Sequence, residues 1–242
     1  MSIILLVDDN EDIRKIFTIF LSRDGHTVHS VPGGRESIEL LTTVAPDMIL
    51  LDIMMPGMDG WETLLAIKQD PVTRALPVAI CSGKPLDKEE IDRYGKFIED
   101  YLVKPQELSD LSDILVGIRQ RYMAQRAEME YLKHEIPDHH LVDEFYDCQK
   151  TLLILEKYSR FFTADPQKIK SVVRKHQARM QEIRDSLRHP AISGTLGTQQ
   201  GIGDMNPGVG ATVDYGARTP GSNAGGVEEK KPVWTSNKEQ RN

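Results

Sequence analysis

The chain has 242 residues, room for one ordinary domain with an appendage or for two small ones. Hydrophobic residues make up 39% and charged residues 28%, with a formal net charge of −7, which predicts a soluble globule over at least part of the length. No apolar run reaches the roughly 18 residues that a membrane span requires. The apolar start, Met1 to Val7, is too short for a signal peptide and lacks a basic leader. Cys81 and Cys148 are the only cysteines and have no metal-ligand spacing. These features predict a cytoplasmic protein without structural zinc.

The charge is unevenly placed. Residues 1–120 carry 12 Lys+Arg against 21 Asp+Glu, a net of −9, while residues 121–190 carry 13 against 11, a net of +2. An acidic front half argues against nucleic acid as the partner. It suits a site that gathers carboxylates around a cation.

Short apolar runs alternate with amphipathic stretches over residues 1–105. The predicted strands are Ile3–Val7, Thr27–Val31, Met48–Leu51, Pro77–Cys81 and Tyr101–Val103, each bounded by Asp, Gly or Pro. Runs of this kind suit strands buried on both faces of a parallel sheet. Between them lie predicted helices Asp12–Arg23, Gly34–Thr43, Trp61–Gln69 and Lys88–Lys96. Strict alternation predicts a five-stranded, doubly wound α/β sheet with right-handed crossovers.

Residues 106–189 carry no strand signal. An apolar seam runs through Leu108, Leu111, Leu115, Ile118, Tyr122, Gln125, Met129, Leu132 and Ile136, with gaps alternating three and four. Pro137 ends it. A second seam is Leu141, Phe145, Cys148, Leu152, Leu155, Ser159 and Phe162. Asp165-Pro166 reads as a helix cap followed by proline at the first helical position. A third seam is Ile169, Val173, His176, Met180, Ile183 and Leu187. Three helices with one narrow stripe each must pack on one another, on a second copy or on a partner. Residues 190–242 hold 10 of the 18 glycines and no period, which predicts a disordered tail. Its late aromatic is Trp234.

In a sheet of this type, ligands bind beyond the carboxyl ends of the strands. Those ends carry Asp8-Asp9, Asp52, Ser82 and Lys104-Pro105, so five residues from four strands should meet on one rim. Carboxylates held together repel, which raises their pKa values unless a cation sits among them. Hard oxygen ligands in small number suit magnesium. A lysine and a hydroxyl beside that cation leave room for a phosphoryl group. Singly, each feature has a plain reading: Asp8-Asp9 as a helix cap, Asp52 as a turn residue, Lys104 as a solvated surface lysine. Capping does not require acid, hydroxyl and lysine at successive strand ends.

Residues 1–122 resemble the receiver domain of response regulators, the chemotaxis-regulator-like phosphoacceptor of two-component systems. The resemblance rests on Leu6-Val7-Asp8-Asp9-Asn10, on Leu50-Leu51-Asp52 through Met58-Asp59-Gly60, on Ser82, and on Tyr101-Leu102-Val103-Lys104-Pro105. It implies a flavodoxin-like receiver in which Asp52 accepts a phosphoryl group from a phosphohistidine on a sensor histidine kinase. Asp9, Asp52 and the backbone carbonyl of Met54 would hold Mg2+, with Asp8 acting directly or through water. Lys104 and Ser82 would contact the phosphoryl oxygens, and Tyr101 would be the switch aromatic that turns inward as Ser82 moves. A cis Lys104–Pro105 bond would aim the lysine. Asn10, Met54 and Lys84 would line the pocket mouth. Met54 and Lys84 are not water-positioning groups, which predicts a phosphoryl lifetime that is not especially short. Beyond its own phosphorylation and dephosphorylation, the chain is not expected to be an enzyme.

The expected division is a receiver at 1–122, a helical output or dimerisation segment at 123–189 and a tail at 190–242. The heptad spacing predicts a homodimer through the C-terminal helices, as well as an effector protein. The basic stretch Lys168–Arg188 would suit DNA, but it has no helix-turn-helix spacing and reads as a solvated face. His134-Glu135-Ile136 is similar to the histidine box of sensor kinases, yet Pro137 follows at once and no ATP-binding glycine boxes come later. His176 and Cys148 lie on seams and read as core residues. The competing function is a pseudo-receiver, a scaffold with the fold and without the chemistry.

Overall fold

A computed structural model describes residues 1–104, 108–158 and 166–187. Pro105, Ser159, Phe162, Asp165 and residues 190–242, on which parts of the sequence reading rest, lie outside the described residues. Five parallel strands, β1 (Ile3–Val7), β2 (Thr27–Val31), β3 (Met48–Leu51), β4 (Val78–Ser82) and β5 (Asp100–Val103), form one sheet in the order β2-β1-β3-β4-β5. The helices are α1 (Glu11–Arg23), α2 (Gly34–Leu40), α3 (Gly60–Gln69), α4 (Lys88–Tyr94), α5 (Leu108–Glu135), α6 (His139–Tyr158) and α7 (Pro166–Leu187). A short 3-10 turn, Gly95–Phe97, follows α4. The expected five-stranded doubly wound sheet with a helical segment behind it is what the chain forms.

Alternate residues of each strand feed two cores, as the period-2 geometry of a strand requires. Leu5, Val7, Ile49, Leu51, Val78 and Ile80 belong to one, with Trp61, Leu64 and Ile67 of α3 and Ile91 of α4. Ile4, Leu6, Met48, Leu50, Ala79 and Cys81 belong to the other, with Phe17 and Leu21 of α1 and Leu111, Leu115 and Ile118 of α5. β2 departs from the expected double burial: none of its residues is fully buried, because it is the uncovered edge. β5 is the opposite edge, yet Asp100, Tyr101 and Leu102 are buried. Leu102 lies in the core with α5, Arg121 of α5 pairs with Asp100, and α6 packs on the 3-10 turn and on β5.

The heptad seam of α5 is used within the chain. Its first part faces the sheet, and Met129, Leu132 and Ile136 join Phe145, Met180 and Ile183 in a third core with α6 and α7. Between the two, the Tyr122 hydroxyl donates to the carbonyl of Ala75, and Gln125 donates to Gln149 at 3.1 Å. The expected boundary at residue 122 falls inside this one continuous helix. Burial on α6 is wider than its seam: Val142, Tyr146, Thr151 and Ile154 are also buried. A helix enclosed by α5, α7 and the 3-10 turn needs more than one apolar stripe. On α7, Arg179 pairs with Glu144 and Glu182, so this basic side chain is engaged by acids of its own chain. His134 is exposed, as its off-seam position predicts.

The loop after β3 explains two glycines. Gly57 has φ +78°, the left-handed region that favours glycine, and it follows Pro56 in the order a type II turn uses. Gly60 opens α3 against the end of β3: a Cβ there would lie 2.2 Å from the carbonyl oxygen of Asp52 and 2.5 Å from Cα of Ile53. Backbone on backbone cannot yield as a flexible side chain can. Gly60→Ala is therefore expected to destabilise the fold by about 2–3 kcal/mol, as overpacking does. Urea unfolding measures this, and a variant as stable as the wild type would refute the close approach.

Candidate metal centre at the carboxyl rim

Strand register builds the site. Val7 pairs with Leu51 across β1 and β3, and the Asp52 N–H donates to the Val7 carbonyl at 2.8 Å. The next residue on each strand, Asp8 and Asp52, is thus brought to the same rim. Across β4 and β5, Ser82 pairs with Val103, and the Lys104 N–H donates to the Ser82 carbonyl at 2.9 Å. β2 and β3 flank β1 on opposite sides, so the rim lies at the point where the strand order reverses, the crevice position of open α/β sheets.

The cap of α1 is Asn10, whose side chain accepts from the N–H groups of Asp12 and Ile13 at 2.9 and 3.2 Å. Asp8 and Asp9 are not the helix cap. Asp8 Oδ1 accepts from the Asn10 N–H at 2.9 Å, which fixes its carboxylate pointing inward. Arg14 donates to the carbonyls of Asp8 and Asp9 at 2.7 and 3.0 Å and holds the loop from the helix side. Asp8, Asp9 and Asp52 each present a carboxylate oxygen, all within 4.8 Å of one another. Asp8 is 2% exposed and Asp52 6%, while Asp9 faces solvent.

Lys104 bridges the buried pair: Nζ lies 2.6 Å from Asp8 Oδ2 and 2.7 Å from Asp52 Oδ2. Burial raises the Asp8 carboxyl above its usual range, and Lys104 only partly offsets this. For Lys104 burial works the other way, but Asp52 and Asp8 more than compensate and hold it firmly protonated. Three carboxylates facing one ammonium leave an excess of negative charge. A hard divalent cation with few protein ligands would balance it, so the residues fit magnesium. Met54 stands at the mouth, 55% exposed, its N–H donating to Asp52 Oδ1 at 3.2 Å.

Ser82 is fully buried, and its Oγ accepts from the Lys84 N–H at 3.4 Å. Tyr101 is also enclosed here, with its hydroxyl donating to the Lys84 carbonyl and its ring in the same core as Ile154 and Leu155 of α6. Burial, then the nearby Glu90 and Asp52 carboxylates, push its phenol up. Sequence reasoning missed Glu90. It closes a capping box with Asp87, accepts from Trp61 Nε1 at 2.8 Å and pairs with Lys84. The Asp87-x-x-Glu90 pattern signals the capping box, though not its link to the pocket. Arg14 left no such signal.

The fold and rim describe a parallel α/β protein with a buried carboxylate pair, a bridging lysine and an adjoining hydroxyl. The family model of the response regulator receiver domain matches residues 4–116. Protein PilH of Pseudomonas aeruginosa is 31% identical over 121 residues, 48% of this chain and 100% of that protein. The chain belongs to the response regulator receiver family. Transcriptional regulatory protein AfsQ1 of Streptomyces coelicolor is 31% identical over 130 residues, 54% of each chain. Sensor histidine kinase TmoS of Ectopseudomonas mendocina is 27% identical over 157 residues, 63% of this chain and 16% of that one. The chain thus spans about half the length of the first of these regulators and far less of the kinase. Among solved structures, the N-terminal domain of a response regulator receiver protein from Methanoculleus marisnigri JR1 is 44% identical, covering 48% of this chain and 94% of that one, with a TM-score of 0.42.

The raised Asp8 carboxyl makes a signed prediction. An acid whose folded pKa exceeds its unfolded value costs stability when ionised, and stability falls as pH rises through that window. Asp8→Asn should therefore stabilise the metal-free protein at pH 7 and raise its Tm. The difference should shrink as pH falls towards the unfolded value of 3.8. Thermal melts in chelator at both pH values measure it, and a variant less stable than wild type at pH 7 would contradict the assignment.

Proposed function

We propose that this protein is a phosphorylation switch, in which Asp52 accepts a phosphoryl group from a phosphohistidine of a sensor histidine kinase. The observation that carries the reading is the Lys104 ammonium held between the Asp8 and Asp52 carboxylates beside Asp9. An Asp52 carboxylate oxygen attacks phosphorus, forming the acyl phosphate as the bond to the histidine nitrogen breaks. Asp9, Asp52 and the backbone carbonyl of Met54, with Asp8 directly or through water, would hold Mg2+, which would neutralise the transferring charge. Lys104 then leaves its place between the carboxylates to contact a phosphoryl oxygen. Ser82 donates to another as its loop moves inward, and Tyr101 is the aromatic coupled to that movement.

The same reading makes the chain a cytoplasmic signalling protein whose output is a protein contact and not DNA. Among the described residues no helix is long and apolar enough to cross a membrane. The output passes through the C-terminal helices, to an effector or to a second copy. Because Leu111, Leu115, Ile118, Leu132 and Ile136 of the α5 seam are buried inside the chain, a homodimer through them needs a rearrangement of the packing around α5.

Incubation with MgCl2 and acetyl phosphate is the test, with intact mass and light scattering read together. One phosphoryl group should be gained by the wild type, only with Mg2+, and none by Asp52→Asn. In MgCl2, with its fold checked by circular dichroism, Lys104→Ala should lose most of the gain, at about 10²-fold or more in rate for removal of a charge that stabilises the transferring group. A folded protein that gains nothing, whether as wild type or with the contacts of α6 and α7 loosened, would move the assignment to a pseudo-receiver scaffold.

A further inference from the structure

The edge of the sheet that carries β5 is closed by the chain itself. α6 lies on the 3-10 turn so tightly that a Cβ at Gly95 would meet Thr151 at 3.3 Å. Gly95 has φ −54°, a conformation open to any residue, so its lack of a side chain serves this approach alone. Charge matches across the contact. Glu99 and Asp100, at the start of β5, are buried and pair with Lys150 and Lys157 of α6. These lysines stand seven apart on one face, with Ile154 between them in the core that also holds Ile91. From α7, Lys175 and His176 approach Asp92 of α4 at 3.5 and 3.6 Å.

The other side of α4 is tied to the carboxylate rim. Lys84, two residues beyond Ser82, pairs with Glu90, and its carbonyl accepts from Tyr101. Glu90 also accepts from Trp61, whose ring stacks on Tyr94 at 4.3 Å between centroids. One short helix is thus held by the pocket through Glu90 and by the appended helices through Asp92 and the Gly95 turn.

We propose that the α6–α7 hairpin is a self-docked cover of the α4–β5 face, and that occupation of the Asp52 pocket releases it by drawing the Ser82–Lys84 loop and α4 away from their present contacts. This rests on Asp52 as phosphoacceptor. An outside partner that uses the face must then replace an amphipathic helix bearing lysines seven residues apart. Release also uncovers the apolar stripe of α6. Coupling is reciprocal, so loosening the hairpin favours occupation of the pocket.

Hydrogen exchange of the full chain, followed with intact mass in MgCl2 and acetyl phosphate, tests this. Amides of 139–158 and 166–187 should exchange about tenfold faster once the phosphoryl group is gained, and Asp52→Asn should show no change. Gly95→Leu and, from the other side of the contact, Lys150→Ala with Lys157→Ala should exchange faster beforehand and gain the phosphoryl group faster than wild type. Full phosphorylation with unchanged exchange would overturn the cover while leaving the phosphoacceptor intact. A gain seen only in the loosened variants would support the cover in its strongest form. No gain in wild type or in either variant would overturn both readings.

Discussion

An ammonium group between two buried carboxylates is the contact on which the rim depends. Asp8 and Asp52 are one residue past a paired position on adjacent strands, so the sheet cannot form in this register without bringing them together. Charge of one sign at that separation and burial is unfavourable by itself. Lys104, delivered from the end of β5, makes the arrangement tolerable, and the outermost strand must be in place for the innermost pair to be satisfied. The rim and the strand order are therefore one constraint. Asp9 adds negative charge that Lys104 does not balance, which leaves the pocket short of a cation and able to respond to one.

The same logic recurs at the opposite end of β5. Asp100 opens an edge strand and Glu99 precedes it, where solvent would ordinarily hydrate them. Here α6 covers them and supplies Lys150 and Lys157, while Arg121 of α5 reaches Asp100 at 2.9 Å. Buried ion pairs add little net stability but are costly to break by removing one partner. They fix where α6 sits more than how tightly it holds. Apolar contact from Ile154, Leu155 and Val172 carries the adhesion. β5 thus faces two sites, contributing Tyr101 and Lys104 towards the pocket and its acidic start towards the appended helices.

Much of this was legible in residue order. All five strands were identified within a residue or two, because runs such as Met48–Leu51 are apolar at every position and bounded by turn residues. Strand ends alone predict a shared rim, and Asp8, Asp9, Asp52 and Lys104 meet there. What periodicity could not give was the identity of the surface that each stripe meets. The α5 heptad has the spacing of a dimer seam, and the same spacing serves a helix that crosses from the sheet to a hairpin of its own chain. The extra burial of Thr151, Ile154 and Val172 has no periodic signature, since it depends on α6 and α7 meeting a second layer. Nor could sequence foresee that the core enclosing Tyr101 would also take in Ile154 and Leu155 of α6, more than fifty residues away in the chain.

Charge distribution takes on a different meaning in this light. An acidic front half followed by a mildly basic helical part resembles, on composition, a regulator joined to a polyanion-binding output. The basic side chains of α6 and α7 are instead directed in part at the acids of the α/β unit: Lys150 to Glu99, Lys157 to Asp100, Lys175 to Asp92. Others pair within the hairpin, as Arg179 does with Glu144. The opposite signs of the two halves are complementary across an internal contact. A basic helix that already has acidic partners in its own chain must give them up before it can bind an external anion. In this molecule part of the charge asymmetry therefore serves an intramolecular contact between receiver and helices.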